Sequence, residues 1–213
     1  MVPFGMSDKS ISSLSRMLSV LDLFTDTHPI WSAEAIAQAL DVSVPTSYRY
    51  VKLLADAGLL QRSAESQFRL GPRIITLDHF MRVSDPVLQH AITFMQELVE
   101  KTGFDCVLTG LYGNQVIDTH REYSSNPAEL HYGRGRPRPM FLGGAPKVIL
   151  ANLAPHAQHK LFDQQTAEIA QAGLPSEWAE FRKYYSAIRK KGYYYSNGEL
   201  EPHLAALAAV LQK

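Results

Sequence analysis

The chain has 213 residues, 46% hydrophobic and 20% charged, enough for one large or two small domains with a packed core. Twenty-one Lys+Arg offset twenty-one Asp+Glu, which argues against polyanion binding by bulk charge and against a charged disordered tail. The single cysteine, Cys106, excludes an internal disulfide framework and a Cys-rich zinc or iron–sulfur site, and it suits a reducing compartment. Residues 1–10 lack the apolar run of a signal peptide, and no stretch approaches the roughly 18–20 uncharged apolar residues of a membrane span. The expectation is a cytoplasmic protein with no membrane partner.

A first helix is predicted over 12–24, with Leu14, Met17, Leu18 and Leu21 on one face. A second runs over 32–40, capped by Ser32, with Ala33, Ile36, Ala37 and Leu40 inward. A third runs over 44–57, with Ser43 as cap and Pro45 in the first turn, where no amide donor is needed. Ser47, Tyr50, Val51 and Leu54 mark its inner face, and Gly58 stops it. Two strand-like pieces, 59–62 and 67–70, follow. Two short amphipathic helices separated by a tight turn, then a hairpin, describe a winged helix-turn-helix. Helices are predicted next over 72–82 and 86–102. Two β-like runs, 105–112 and 115–121, join at Gly113-Asn114. Helices over 146–152, 156–172 and 176–191 and a strand at 193–195 complete the pattern.

If the third helix enters a major groove, its outward residues should be short, polar or basic. Val44, Pro45, Thr46, Tyr48, Arg49 and Lys52 form that set. Arg49 can bind guanine bidentately, Lys52 can neutralise a phosphate, and Arg62 and Arg69 on the wing can grip adjacent backbone. A solvated helix looks similar, and residues 1–71 carry six Lys+Arg against seven Asp+Glu. DNA binding and a protein-interaction winged helix therefore both remain open from pattern alone. The placement of the basic residues, on this helix and the wing, favours DNA.

Several stretches resemble the IclR family of bacterial transcriptional regulators. DVSVPTSYRYVKLLADAGLLQR (41–62) is similar to its recognition helix, and FRLGPR (68–73) to its exit from the wing. PMFLGGAPKVILA (139–151) is similar to the start of its effector-domain helix. IRKKGY (188–193) and GELE (198–201) are similar to its late helix–strand turn. The resemblance runs in order from about Ser12 to Glu201. It implies an α+β chain: a winged helix-turn-helix over 1–71, a linker helix over 72–83, and a GAF/profilin-like effector-binding domain with antiparallel sheet over 84–213. It implies a repressor or activator that binds a double-stranded DNA operator as a homodimer or a dimer of dimers, and that responds to a small organic acid or aromatic metabolite. The implied DNA-facing residues are Ser43, Pro45, Thr46, Tyr48, Arg49, Lys52, Arg62 and Arg69. The implied effector residues are Phe141, Gly143, Gly144, Ala145 and Asn197, with Arg138 as a further candidate.

The chain departs from the family at Phe141 and Gly143, where a histidine and a small hydroxyl residue are common. It departs again at Pro146, in place of a glycine, and at Ala206, in place of a cysteine. The family continues well beyond the position of Glu201 with strands that close the pocket. Only 202–213 remain here, and HLAALAAVL reads as helical as it does extended. Two readings stay open from the sequence, a shortened chain and a diverged C-terminus, and both bear on whether the effector pocket is complete.

Other constellations are weaker. HYGRGRPR (131–138) is read as a solvated loop with nothing fixing its guanidinium groups, in preference to an anion clamp. His156 and His159 are read as surface histidines, not metal ligands. Asp118 and His120 have no matching nucleophile, and no GxSxG, P-loop or GxGxxG occurs. Cys106 is read as buried and inert, and Tyr193–Tyr195 as a strand. No cofactor, metal or catalysis is expected. The rival reading is a ligand-binding module or small-molecule enzyme whose winged helix serves only to dimerise.

Overall fold

The computed structural model describes residues 12–63, 66–130 and 132–211. Two compact units divide between Gln89 and His90.

In the first unit, α1 (Ser13–Ser19) gives way to a 3₁₀ turn at Leu21–Leu23. The helix predicted over 12–24 is thus broken, and Leu21, Leu23 and Phe24 pack against the core from the tighter turn. β1 (Trp31–Ser32) leads directly into α2 (Ala33–Ala39). The Ser32 hydroxyl accepts the Ala35 amide, as a cap should. α3 (Val44–Asp56) starts at the Ser43 cap with proline in its first turn. β2 (Leu60–Arg62) and β3 (Gln67–Leu70) form the wing, and the sheet order is β1-β3-β2, all antiparallel. Register pairs Trp31 with Phe68 and Leu60 with Leu70. Val20, Ala33, Ile36, Tyr50, Val51, Leu54, Leu60 and Phe68 make the core. The four inward residues expected of the third helix are its four buried ones.

The wing ends at a close backbone approach. A Cβ on Gly71 would sit 2.2 Å from the Gly58 carbonyl oxygen, so only glycine fits. The Gly71 amide bonds the Leu59 carbonyl at 2.8 Å, and α4 (Arg73–Ser84) begins two residues later. A helix thus occupies the stretch expected as a linker over 72–83, and it groups with the first unit. α5 (Pro86–Thr102) follows, with Asp85 Oδ1 accepting the Val87 and Leu88 amides at its start.

In the second unit, β4 (Cys106–Tyr112) and β5 (Gln115–Glu122) form a hairpin with an irregularity at Leu108/Thr109. β6 (Pro137–Arg138) adds to β5. α6 (Gly144–Asn152) begins two residues earlier than predicted, because Gly143 at φ +85 turns the chain. α7 (Pro155–Gln164) and α8 (Thr166–Gln171) replace the single helix predicted over 156–172, with the break at Gln165. α9 (Trp178–Lys191) ends at left-handed Gly192, beside a basic last turn. β7 (Tyr193–Asn197) and β8 (Ala205–Ala209) pair antiparallel. The central part of the ambiguous HLAALAAVL, Ala205–Ala209, is thus extended, because β7 offers it a ladder. Phe141, Val148, Leu150, Phe181, Tyr185 and Ile188 are central to this core.

Candidate nucleic-acid interface and effector site

α3 presents a clean division. Ser47, Tyr50, Val51 and Leu54 are buried, while Ser43, Pro45, Tyr48, Arg49 and Lys52 are exposed and Thr46 is half-buried. The Ser43 hydroxyl accepts the Thr46 amide at 3.4 Å and pairs with the Thr46 hydroxyl at 2.8 Å. These bonds stiffen the first turn, the part of a recognition helix that reaches base edges. The Arg49 guanidinium lies 5.8 Å from the Tyr50 ring, with its fork free of any protein carboxylate among the described residues. The Tyr48 hydroxyl donates a 2.7 Å hydrogen bond to Glu34 on α2. That bond lowers the Glu34 carboxyl and, together with the Glu34 charge, raises the Tyr48 phenol. Tyr48 therefore meets a ligand as an aromatic edge whose hydroxyl is already turned toward α2. On the wing, Arg62 reaches Ser66 at 3.3 Å and Arg69 reaches Gln61 at 3.4 Å, and both side chains are exposed. All eight expected DNA-facing residues thus lie in one unit, on α3, its cap and the wing strands.

The expected effector residues have diverse settings. Phe141 is 2% exposed, and its ring meets Phe181 at 6.4 Å, edge to face, so it serves the core. Gly143 and Gly144 are buried at the start of α6, and Ala145 is half-buried. A Cβ on Gly144 would stand 3.0 Å from the Ala208 Cβ on β8. Asn197 is exposed at the end of β7, opposite Ala205.

Arg138 corrects the solvated-loop reading of 131–138. Its Nε and Nη2 clasp Asp118 at 2.6–2.8 Å, with side-chain exposures of 12% for Arg138 and 3% for Asp118. Thr109 donates to the same carboxylate at 2.8 Å. Arg134 donates to the Thr119 carbonyl and the Gly135 amide to the Asp118 carbonyl, which pins the segment to β5. Residue 131 lies outside the described residues.

A neighbouring anchor uses Asp105. Its carboxylate accepts the Ser124 and Ala128 amides at 2.7 and 2.8 Å and the Arg121 guanidinium at 2.5 Å. Burial alone would push its pKa up, but these donors outweigh burial and hold it down at about 2. His159 lies 3.4 Å from Asp163 and edge-on to Trp178 at 4.5 Å. Cys106 is half-buried rather than buried, and burial followed by the Glu122 charge raises its thiol pKa.

Sequence reasoning missed a polar cluster at the start of α6. Lys147 Nζ bonds Glu199 at 2.5 Å and Tyr194 at 3.1 Å. Tyr194 donates to the second Glu199 oxygen at 2.7 Å, and the Gly143 amide donates to the first at 3.1 Å. Tyr184 donates to Tyr194 at 3.2 Å. Burial would raise Glu199, but its bonds to Lys147, Tyr194 and Gly143 hold it below the usual carboxylate range. Burial, then the neighbouring Tyr184 and Glu199, push Tyr194 upward. The available signal was Lys147 itself, a lone charge in the apolar run 139–153, which burial obliges to find a partner.

Among the described residues no cluster of three or more His, Cys, Asp or Glu stands ready for a metal. No helix among them is long and apolar enough to cross a membrane.

Two family models match this chain. The IclR helix-turn-helix domain matches residues 13–64, and the bacterial transcriptional regulator IclR C-terminal domain matches residues 80–212. The probable transcriptional regulator SauR of Cupriavidus necator is 28% identical over 158 residues, covering 73% of this chain and 62% of its own length. The HTH-type transcriptional regulator BhcR of Paracoccus denitrificans is 25% identical over 201 residues, covering 93% of this chain and 71% of its own. The chain thus spans under two thirds of SauR. A crystal structure of an IclR homolog complexed with 4-hydroxybenzoate, from Microbacterium hydrocarbonoxydans, shares the fold with a TM-score of 0.74 at 19% identity, covering 95% of this chain and 84% of that one. With both domains matched in order and the winged unit formed as the motif requires, the chain belongs to the IclR family of bacterial transcriptional regulators.

Proposed function

We propose that this chain regulates transcription by placing α3 in the major groove of an operator, under the control of a small organic acid or aromatic metabolite held by the later domain. The observation that carries this reading is the division of α3: four residues buried, and Tyr48, Arg49 and Lys52 turned outward with the cap of Ser43. Pro45 shapes the first turn, and Thr46 and Tyr48 border Arg49, the candidate for a bidentate contact to guanine. Lys52, Arg62 and Arg69 neutralise phosphates and set orientation. The protein acts in the cytoplasm, where the chromosome is, as a homodimer or a pair of homodimers. Effector occupancy alters the spacing of two recognition helices, and half-sites about 34–36 Å apart make that spacing costly to miss. Gly143, Gly144 and Ala145 at the α6 start are the candidate effector backbone, with Asn197 and Arg138 as further candidates. Phe141 supports them from the core.

The test is titration of labelled duplexes, chosen by selection from a random pool, at two salt concentrations. Regulator chemistry gives selective binding that weakens steeply with salt through counterion release. Absence of any selected sequence, with weak and salt-insensitive binding, would overturn the reading. Repeating the selection with aromatic and short-chain acids, 4-hydroxybenzoate among them, identifies the effector class.

A further inference from the structure

The Glu199 carboxylate is bound as a ligand would be. Three donors converge on it, two from the start of α6 and one from β7: the Gly143 amide at 3.1 Å, the Lys147 ammonium at 2.5 Å and the Tyr194 hydroxyl at 2.7 Å. The Lys147 side chain is 6% exposed and that of Glu199 22%, so a buried ammonium is paired with a carboxylate that is partly open to solvent. The Tyr194 and Tyr184 rings flank Nζ at 4.8 and 5.9 Å. Beside Tyr184, ring to ring at 5.2 Å, Tyr185 is fully buried, and its hydroxyl has no hydrogen-bond partner among the described residues.

We propose that Gly143, Lys147 and Tyr194 form a binding site for a small free carboxylate, which Glu199 fills as a tethered stand-in and yields when that carboxylate arrives. The inference rests on the reading of the later domain as an effector sensor, and it names the polar site. The donor set is the one a carboxylate needs: one full positive charge, one amide and one hydroxyl, arranged for two oxygens. A buried ammonium cannot be left unpaired, so only another anion can release Glu199, and a neutral analogue cannot. Glu199 follows Gly198, which stands at φ +66 in the turn leaving β7, so release frees that turn from α6 without breaking a strand.

The experiment uses the full chain. Thermal unfolding of wild type, Glu199→Ala and Glu199→Ala/Lys147→Met is followed with acetate, propionate and neutral acetamide. A tethered carboxylate competes at an effective concentration of millimolar or more, so wild type should require at least about tenfold more acetate than Glu199→Ala for the same shift. Acetamide should do nothing, and Lys147→Met should remove the rescue. Equal response of wild type and variant to acetate, or equal action of acetate and acetamide, overturns the proposal. Should Glu199→Ala fail to fold, Glu199→Gln serves, because it keeps the volume and drops the charge. It too should bind acetate at least about tenfold more tightly than wild type, and equal affinity overturns the proposal. Wild-type DNA affinity in the same preparation separates the two readings. Intact DNA binding with no acetate effect sinks only the tethered-carboxylate site, whereas lost DNA binding sinks the regulator reading.

Discussion

The Ser47 hydroxyl donates a 2.6 Å hydrogen bond to the carbonyl of Ala33, between two residues that are both fully buried. This bond ties α2 to α3 within their shared apolar core, and so helps set the angle at which the outward face of α3 is offered. Ser47→Ala leaves that carbonyl short of a partner and should cost about 1–2 kcal/mol. Chemical denaturation of the full chain measures it. A loss confined to the transition of the later unit would contradict this role.

Arg49→Ala should weaken binding to a selected operator by about 1–3 kcal/mol and relax preference at one base position. Lys52→Ala should weaken all duplexes alike and lower the salt slope by about one phosphate contact. Titration against the selected site and a scrambled duplex tells the two apart. Unchanged operator affinity in Arg49→Ala would remove it from the reading surface.

Breaking the Asp118–Arg138 clasp from one side strands a carboxylate whose side chain is 3% exposed. Arg138→Ala should therefore destabilise the later unit by about 3–5 kcal/mol. The double variant Asp118→Leu/Arg138→Met, which removes both charges at similar volume, should recover much of that loss. A denaturant series on wild type, Asp118→Leu, Arg138→Met and the double variant decides it, and an additive double variant would refute the pairing.

Asp105 sets an acid limit. Its carboxyl sits at about 2 in the fold against an ordinary 3.8, so the unfolded chain takes up the proton first as pH drops. The stability it supplies is complete above the unfolded value and drains away as pH falls toward about 2. Discounted for solvent screening, the contribution is at most about 2 kcal/mol. Asp105→Asn should be less stable at neutral pH and lose less between pH 5 and 3, as read from unfolding midpoints across that range. An acid limb parallel to wild type would show that the carboxylate supplies no such stability.

Much of the first unit was legible because its signals are local. Ser32 and Ser43 as caps, Pro45 in a first turn and the inward spacing of 47, 50, 51 and 54 all act within one helix. β1 and β6 escaped notice because two residues carry no period. The fixed position of Arg138 was invisible for another reason: its partner Asp118 lies 20 residues away, and local composition of 131–138 spoke for exposure. The Lys147–Glu199 bond spans 52 residues, beyond any spacing argument. Both of its segments were singled out, yet only the fold could show that they meet.

The contact of Gly71 with the Gly58 carbonyl has an engineering meaning. The direction in which α4 departs is set where main chain meets main chain, with the Arg73 guanidinium donating to the Ala57 carbonyl beside it. A reading head exchanged upstream of this joint, with both glycines retained, should launch the outgoing helix along the same line, which makes the joint a natural seam for building chimeric regulators.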